Sequence, residues 1–295
     1  MTYLKTYMIK ITKSICLASF FAGTLCSDAA ISVTSAGFTY SQNFDTLAST
    51  GSGVSWTNDS TLTGWSLLSG AGSAITAYST GTGSNSTGSF YSLGVLNSTD
   101  RALGAVATGS VYFDTPAVGA AAAYLAVSLT NNSGAGLNSI EFGFSGEQWR
   151  NSGAGTSQGI TLQYGIGATF SSVAAWTAPG GNFDWSGPFA TGAAGATDGN
   201  GVGFVANRGG ILTGLPWNSG DTLWLRWTDL NDTGNDHGLA MDNFRVTAVP
   251  EASTFLIGAL GMLQFLKRRR QSSVAVFKKS TVDADGAVSL RQVCL

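Results

Sequence analysis

Ile140-Glu141-Phe142-Gly143-Phe144 alternates residue by residue, and Leu223-Trp224-Leu225-Arg226-Trp227 alternates again further along the chain. Successive side chains of a strand point to opposite faces. Ile140, Phe142 and Phe144 therefore share one face, as do Leu223, Leu225 and Trp227, while Trp224 and Arg226 take the other. Ile160-Thr161-Leu162-Gln163-Tyr164 has the same period. Residues 124–129 follow it loosely and stop at the turn residues Asn131-Asn132-Ser133-Gly134. Residues 37–44 read as an opening strand and residues 241–246 as a closing one. Alanine content over 118–126 would suit a helix, but Gly119 and the strand-like surroundings argue against it. No amphipathic helix stands out within residues 31–249. Short strands separated by glycine-rich turns predict an all-β fold, an antiparallel β-sandwich of the jelly-roll kind.

Composition narrows the function classes. Residues 31–249 contain no cysteine and no lysine, five arginines and thirteen acidic residues. A domain this acidic repels phosphate backbones, so nucleic acid is not an expected partner. The 40 glycines suit tight turns, and all eight tryptophans fall within this span. Their rings are either core or platforms for sugar rings. Residues 80–89 read as a long loop of low complexity. Residues 179–201 form a second glycine-rich interval, in which Phe183, Trp185 and Phe189 are placed to close over something.

The ends read as addresses. Lys5, Lys10 and Lys13 precede an apolar run over 15–25 and small residues at Ser27, Ala29 and Ala30. That order is a secretory signal peptide over 1–30. At the other end, Val249-Pro250-Glu251-Ala252-Ser253 leads into an apolar run over 254–266 and then Lys267-Arg268-Arg269-Arg270. The run is shorter than the roughly 20 residues a spanning helix needs, and the basic stop would stay on the cytoplasmic side. The expected organisation is a signal peptide (1–30), a sandwich (31–248), a sorting signal with a short transmembrane helix (249–270) and a polar tail (271–295).

This C-terminal arrangement resembles the PEP-CTERM sorting signal of exopolysaccharide-producing Gram-negative bacteria, with Val249, Pro250 and Glu251 as the sorting motif. The resemblance implies an exosortase-type processing enzyme as partner. It also implies an inner-membrane precursor and delivery to the cell surface or extracellular matrix. Ala252 stands where the family usually has a second proline, and the chain continues past Arg270, where such proteins normally stop.

The middle also resembles a bacterial extracellular sandwich domain, through Tyr40-Ser41-Gln42-Asn43-Phe44-Asp45-Thr46-Leu47, Gly146-Glu147-Gln148-Trp149-Arg150 and Asp236-His237-Gly238-Leu239-Ala240-Met241-Asp242-Asn243-Phe244. That resemblance implies a lectin-like jelly roll whose first and last strands lie side by side. By the same analogy Asp45 and Asp242 would help hold one structural calcium.

Three chemistries follow. Asp229, Asn231, Asp232, Asn235, Asp236, His237 and Asp242 form the densest polar cluster, and its carboxylates and amides are hard oxygen ligands, but Asp and Asn also close Asx-turns without metal. Trp65, Trp176 and Trp185 border glycine-rich loops and are the candidate polysaccharide contacts, with ordinary core packing as the alternative. Glu141 and Glu147 share strand parity, as a glycosidase pair would. Residues six apart on one strand lie about 20 Å apart, however, against the roughly 5 Å a retaining enzyme needs. Glu147, Arg150, Arg101 and Asp100 are expected to form a partly buried ion-pair network instead. The expected function is non-catalytic glycan binding or scaffolding in the exopolysaccharide layer. A structural matrix protein without a ligand and a secreted hydrolase are the alternatives.

Overall fold

The computed structural model describes residues 30–249, 278–282, 284–286 and 288–292. The motif residues Pro250 and Glu251, the apolar run over 254–266 and residues 1–29 of the expected signal peptide lie outside the described residues. Among the described residues there is no α-helix, and no helix is long and apolar enough to cross a membrane.

The strands form two main sheets. The first holds β1 (Ile31–Val33), β4 (Trp65–Ser69), β8 (Ala121–Asn131), β10 (Gly159–Ile166), β11 (Trp185–Ser186) and β14 (Thr222–Leu230). Its order is β1-β8-β14-β10-β11, with β4 also on β8. The second holds β2 (Thr39–Gln42), β3 (Val54–Ser55), β5 (Ala77–Gly81), β6 (Ser89–Leu93), β7 (Ala102–Val106), β9 (Leu137–Asn151), β12 (Gly195–Ala196), β13 (Phe204–Trp217) and β15 (Gly238–Ala248). Its order is β12-β9-β15-β7-β6-β5-β3, with β13 on β9 and β2 on β15. β2 and β15, which hold the expected opening and closing strands, are thus neighbours, with Gln42 opposite Phe244. Two pairs depart from the antiparallel expectation: β1 with β8 and β5 with β6 run parallel. In the tail, β16 (Lys278–Val282) and β17 (Val288–Gln292) form a hairpin that the polar sequence did not suggest.

The alternation seen in the sequence builds the sandwich. Leu223, Leu225 and Trp227 of β14, with Leu125, Val127 and Leu129 of β8, meet Phe142 and Phe144 of β9 in one buried cluster. Each such side chain contributes about 1.5–3 kcal/mol on burial. The centre is aromatic. Trp65 stacks on Trp227 at 6.2 Å, and Phe244 meets both edge-on, at 5.2 and 5.7 Å.

β15 does not keep one parity. Leu239 and Met241 face the core, and so do Phe244 and Val246. A bulge between Asp242 and Arg245, with Asn243 left-handed at φ 53°, inserts the residue that resets the phase. Both halves of the strand can therefore bury their apolar residues while Asp242 stays on the outer face.

Candidate binding face

Arg226 sits on the outer face of the first sheet, in β14 between β8 and β10. Its partners across the ladder are Ala126 and Gln163. Its Nε and Nη2 both donate to Gln163 Oε1, at 2.8 and 2.6 Å. The guanidinium carbon lies 4.3 Å from the ring centroid of Tyr124, 3.9 Å from Trp176 and 5.6 Å from Phe170. Tyr124, Phe170 and Trp176 are half-buried and rest on Leu68, Ala126, Val173 and Trp224. Burial lowers the Arg226 pKa, and its hydrogen-bond acceptor is a neutral amide.

Glycine at the end of β10 makes this cluster possible. A Cβ on Gly165 would lie 2.3 Å from Val173 Cγ1, and one on Gly167 would lie 2.7 Å from Val173 N. Only a bare backbone lets the following segment fold back onto the sheet. A 3₁₀ turn (Phe170–Ser172), closed by the Thr169 N–H donating to Ser172 Oγ, then delivers Phe170. Thr177 exchanges backbone hydrogen bonds with Tyr164, at 2.8 and 2.9 Å, and fixes Trp176 beside Arg226. The result is a set of apolar ring faces around a pre-oriented donor. Such a surface suits a sugar: C–H faces lie on rings, and hydroxyl oxygens accept from a guanidinium.

Of the three candidate tryptophans, only Trp176 belongs to this surface. Trp65 and Trp185 are corrected to core residues, at 0% and 3% exposure. Trp65 has the inward parity of β4 and donates through Nε1 to Tyr40 Oη at 3.1 Å. Trp185 fills the space that Gly146 leaves, where a Cβ would come within 2.4 Å of its ring. The outward parity of Arg226 was legible in the sequence. Tyr124, Gln163 and Phe170 were not singled out, because their nearness depends on register and on the fold-back at Gly165.

The candidate calcium residues lie near each other but do not form a closed set of ligands. Asp242 is buried, and its pKa is pushed up to about 7 by burial, with the charges of Asp100 and Asp45 adding to the effect. Its Oδ1 has no hydrogen-bond partner, while Oδ2 accepts from Asn243 Nδ2 at 2.8 Å. Asp45 accepts from the Arg101 N–H at 3.0 Å and from Asn43 Nδ2 at 2.6 Å. Among the described residues, no three His, Cys, Asp or Glu side chains converge as a metal site. Asp242 Oδ1 therefore fits one cation ligand, and other oxygens would have to complete the shell. The Asp229–Asp236 cluster behaves as a turn: Asp236 Oδ1 accepts the Asp232 N–H at 2.7 Å.

The expected ion-pair network is not formed. Trp149 Nε1 donates to Glu147 Oε2 at 2.8 Å, and burial raises the Glu147 pKa to about 8. Arg150 donates to the Gly83 and Ser84 carbonyls. Arg101 donates to Ser92 Oγ and to the carbonyls of Ser92, Gly81 and Val95. Neutral carbonyls and the Ser92 hydroxyl, and not carboxylates, are the acceptors of these guanidiniums. Glu141 is exposed while Glu147 is 1% exposed, so the two glutamates do not share a site. His237 is buried, and its Nδ1 accepts the Ser152 N–H at 2.9 Å. That bond orients the ring as a structural element rather than a base facing a cleft.

No family model and no curated protein matches the chain. Among solved structures it is similar to the CBM22-1 xylan-binding domain of Paenibacillus barcinonensis Xyn10C, with a TM-score of 0.37 and 12% identity, over 75% of this chain and 100% of that one. It is also similar to the isomalto-dextranase of Arthrobacter globiformis T6 complexed with panose, with a TM-score of 0.28 and 9% identity. That alignment covers 74% of this chain and 33% of the enzyme.

Proposed function

We propose that this protein is a non-catalytic, glycan-binding module of the jelly-roll kind, exported to the cell surface or extracellular matrix of an exopolysaccharide-producing bacterium. One observation carries the reading: the half-exposed Trp176, Tyr124 and Phe170 rings gathered around a guanidinium already oriented by Gln163. Polysaccharide contact falls to this face.

The export part of the reading is supported by the order of charges and apolar residues at the two ends. The precursor is held at the inner membrane, and Val249, Pro250 and Glu251 are read by an exosortase-type enzyme. One structural calcium at Asp45 and Asp242 belongs to the same reading and is supported by the unpartnered Asp242 Oδ1. A purely structural matrix protein is the competing reading. Retention on immobilised polysaccharide separates the two: loss of retention in Trp176→Ala, with unchanged unfolding, supports binding. Passage of the wild type straight through every matrix sinks it.

A further inference from the structure

The six strands of the first sheet hold two charged residues, Arg226 and Asp229. Both lie in β14, three residues apart, and so take opposite faces. Asp229 points into the core among Leu125, Trp227 and Leu239 and is 7% exposed. Arg226 is therefore the one charge that these strands present on the outer face. The segment that folds back over that face adds none, since residues 167–183 are uncharged. Asp114, Asp184 and Asp221 border the sheet, and each is already an acceptor, from Ser69 Oγ, the Leu162 N–H and Asn218 Nδ2 respectively. In a domain with thirteen acidic residues, this face carries a cation and no carboxylate.

The guanidinium also keeps donors free. It has five N–H groups, of which Nε and one on Nη2 are engaged by Gln163 Oε1. Among the described residues no acceptor meets the other three, and Nη1 stays open to solvent. Using one side of the fork on Gln163 leaves the end-on pair, one N–H from Nη1 and one from Nη2, parallel and aimed away from the amide. A sugar hydroxyl would engage one of that pair. A carboxylate engages both and also supplies the counter-charge that Gln163 cannot. Burial already works against the charge of Arg226, so an anion has more to offer it than a neutral oxygen.

We propose that the Arg226 face recognises a uronate carboxylate, in a polysaccharide whose uronic acid is flanked by neutral sugars. The proposal rests on the glycan-binding reading above and names the substrate class of that same site. The carboxylate takes the free pair of donors on Arg226, and the C–H faces of the adjoining sugars lie on Trp176 and Tyr124. One cation matches one carboxylate. A polyuronate would bring further charges against an otherwise acidic domain, and repulsion would weaken it as it disfavours nucleic acid.

Retention of the full-length protein on immobilised gellan and glucuronoxylan tests this, each beside its carboxyl-reduced form, with polygalacturonate as the polyuronate. Chelator is present throughout, so that no calcium at Asp242 bridges to the polymer. The wild type is expected to bind at least one of the two native polymers about tenfold more tightly than its reduced form. Raising NaCl from about 50 to about 500 mM should narrow that ratio. Gln163→Glu, which keeps the side-chain shape and sets a carboxylate against the guanidinium, should bring the ratio close to one, as should Arg226→Met. The urea midpoint of each variant reports its folding, and the isosteric Gln163→Glu decides if Arg226→Met does not fold. Equal wild-type retention on native and reduced polymers overturns the uronate and leaves glycan binding standing. A preference for the native polymer that survives Gln163→Glu places the carboxylate elsewhere and overturns the proposal too. Tighter retention on polygalacturonate than on either other polymer overturns the flanked-uronate class, and no retention on any of them overturns the glycan-binding reading itself.

Discussion

The guanidinium carbon of Arg226 lies 3.9 Å from the ring centroid of Trp176, a residue delivered by a segment that the strand itself does not contain. Cation–π contacts of this kind contribute about 0.5–2 kcal/mol. They hold the indole in one orientation while part of it stays exposed, which a binding surface needs.

Trp176→Ala should therefore separate binding from stability. Polysaccharide retention is expected to fall at least tenfold, while urea unfolding shifts by no more than about 1 kcal/mol. Trp65→Ala is the contrast: the ring is fully buried, so a loss of about 3–5 kcal/mol is expected. Comparable destabilisation in the two variants would show that Trp176 is core after all.

Arg101 ties three carbonyls from two chain segments, the end of β5 and the end of β6 with its following turn, to its guanidinium. Arg101→Met leaves the Gly81, Ser92 and Val95 carbonyls without that donor, and about 3 kcal/mol of stability should disappear. Arg101→Lys should recover little, because a compact ammonium cannot reproduce the planar fork. Equilibrium unfolding in urea measures both, and full rescue by lysine would contradict the assignment.

pH dependence follows from the buried carboxylates: Glu147, Asp242 and two neighbouring aspartates. Burial pushes Asp236 up to about 7, and the Asp232 charge adds to this, against the opposing hydrogen bond from the Asp232 backbone. Burial also raises fully buried Asp229 well above its ordinary 3.8, with the Asp236 and Asp232 charges adding. The folded chain thus holds more protons than the unfolded chain between about pH 4 and 7. Their contribution is fully present below the unfolded value and is lost as pH rises through the folded one. In chelator, the melting temperature should be higher at pH 5 than at pH 8. Asp236→Asn should flatten that slope, and a slope of the opposite sign would refute the account.

Calcium gives an independent reading at the other carboxylate cluster. Added calcium is expected to raise the melting temperature at pH 8, and chelation to reverse the rise. Asp242→Asn should abolish the response, whereas Asp236→Asn should retain it. A melting temperature that ignores both calcium and chelator removes the cation from the Asp45–Asp242 pair.

Edge-to-core alternation made most of the sandwich legible. The period of two in 140–144, 160–164 and 223–227 names the inward residues correctly, because sheet pleating fixes that period whatever the partners. The rule does not run unbroken through β15, where one extra residue at Asn243 resets the phase. It gave no access to the parallel pairing of β5 with β6, since a strand's own pattern does not encode the direction of its neighbour. Proximity to glycine-rich loops was a poor guide to tryptophan exposure. Gly146 makes room for Trp185 to sink inward, whereas Gly165 and Gly167 make room for a loop that leaves Trp176 half in solvent.

What the sequence determined by itself is local and periodic: strands in place of helices, an apolar face on each, a lysine-free acidic composition over residues 31–249, and an apolar run with basic residues beside it near each end. What only the tertiary structure decided is which residues from different strands share a surface. Arg226 meets Gln163 through register and Trp176 through the fold-back past Gly165. Such encounters depend on long-range closure of the chain, where the energy comes from burying both sheet faces together rather than from any local preference.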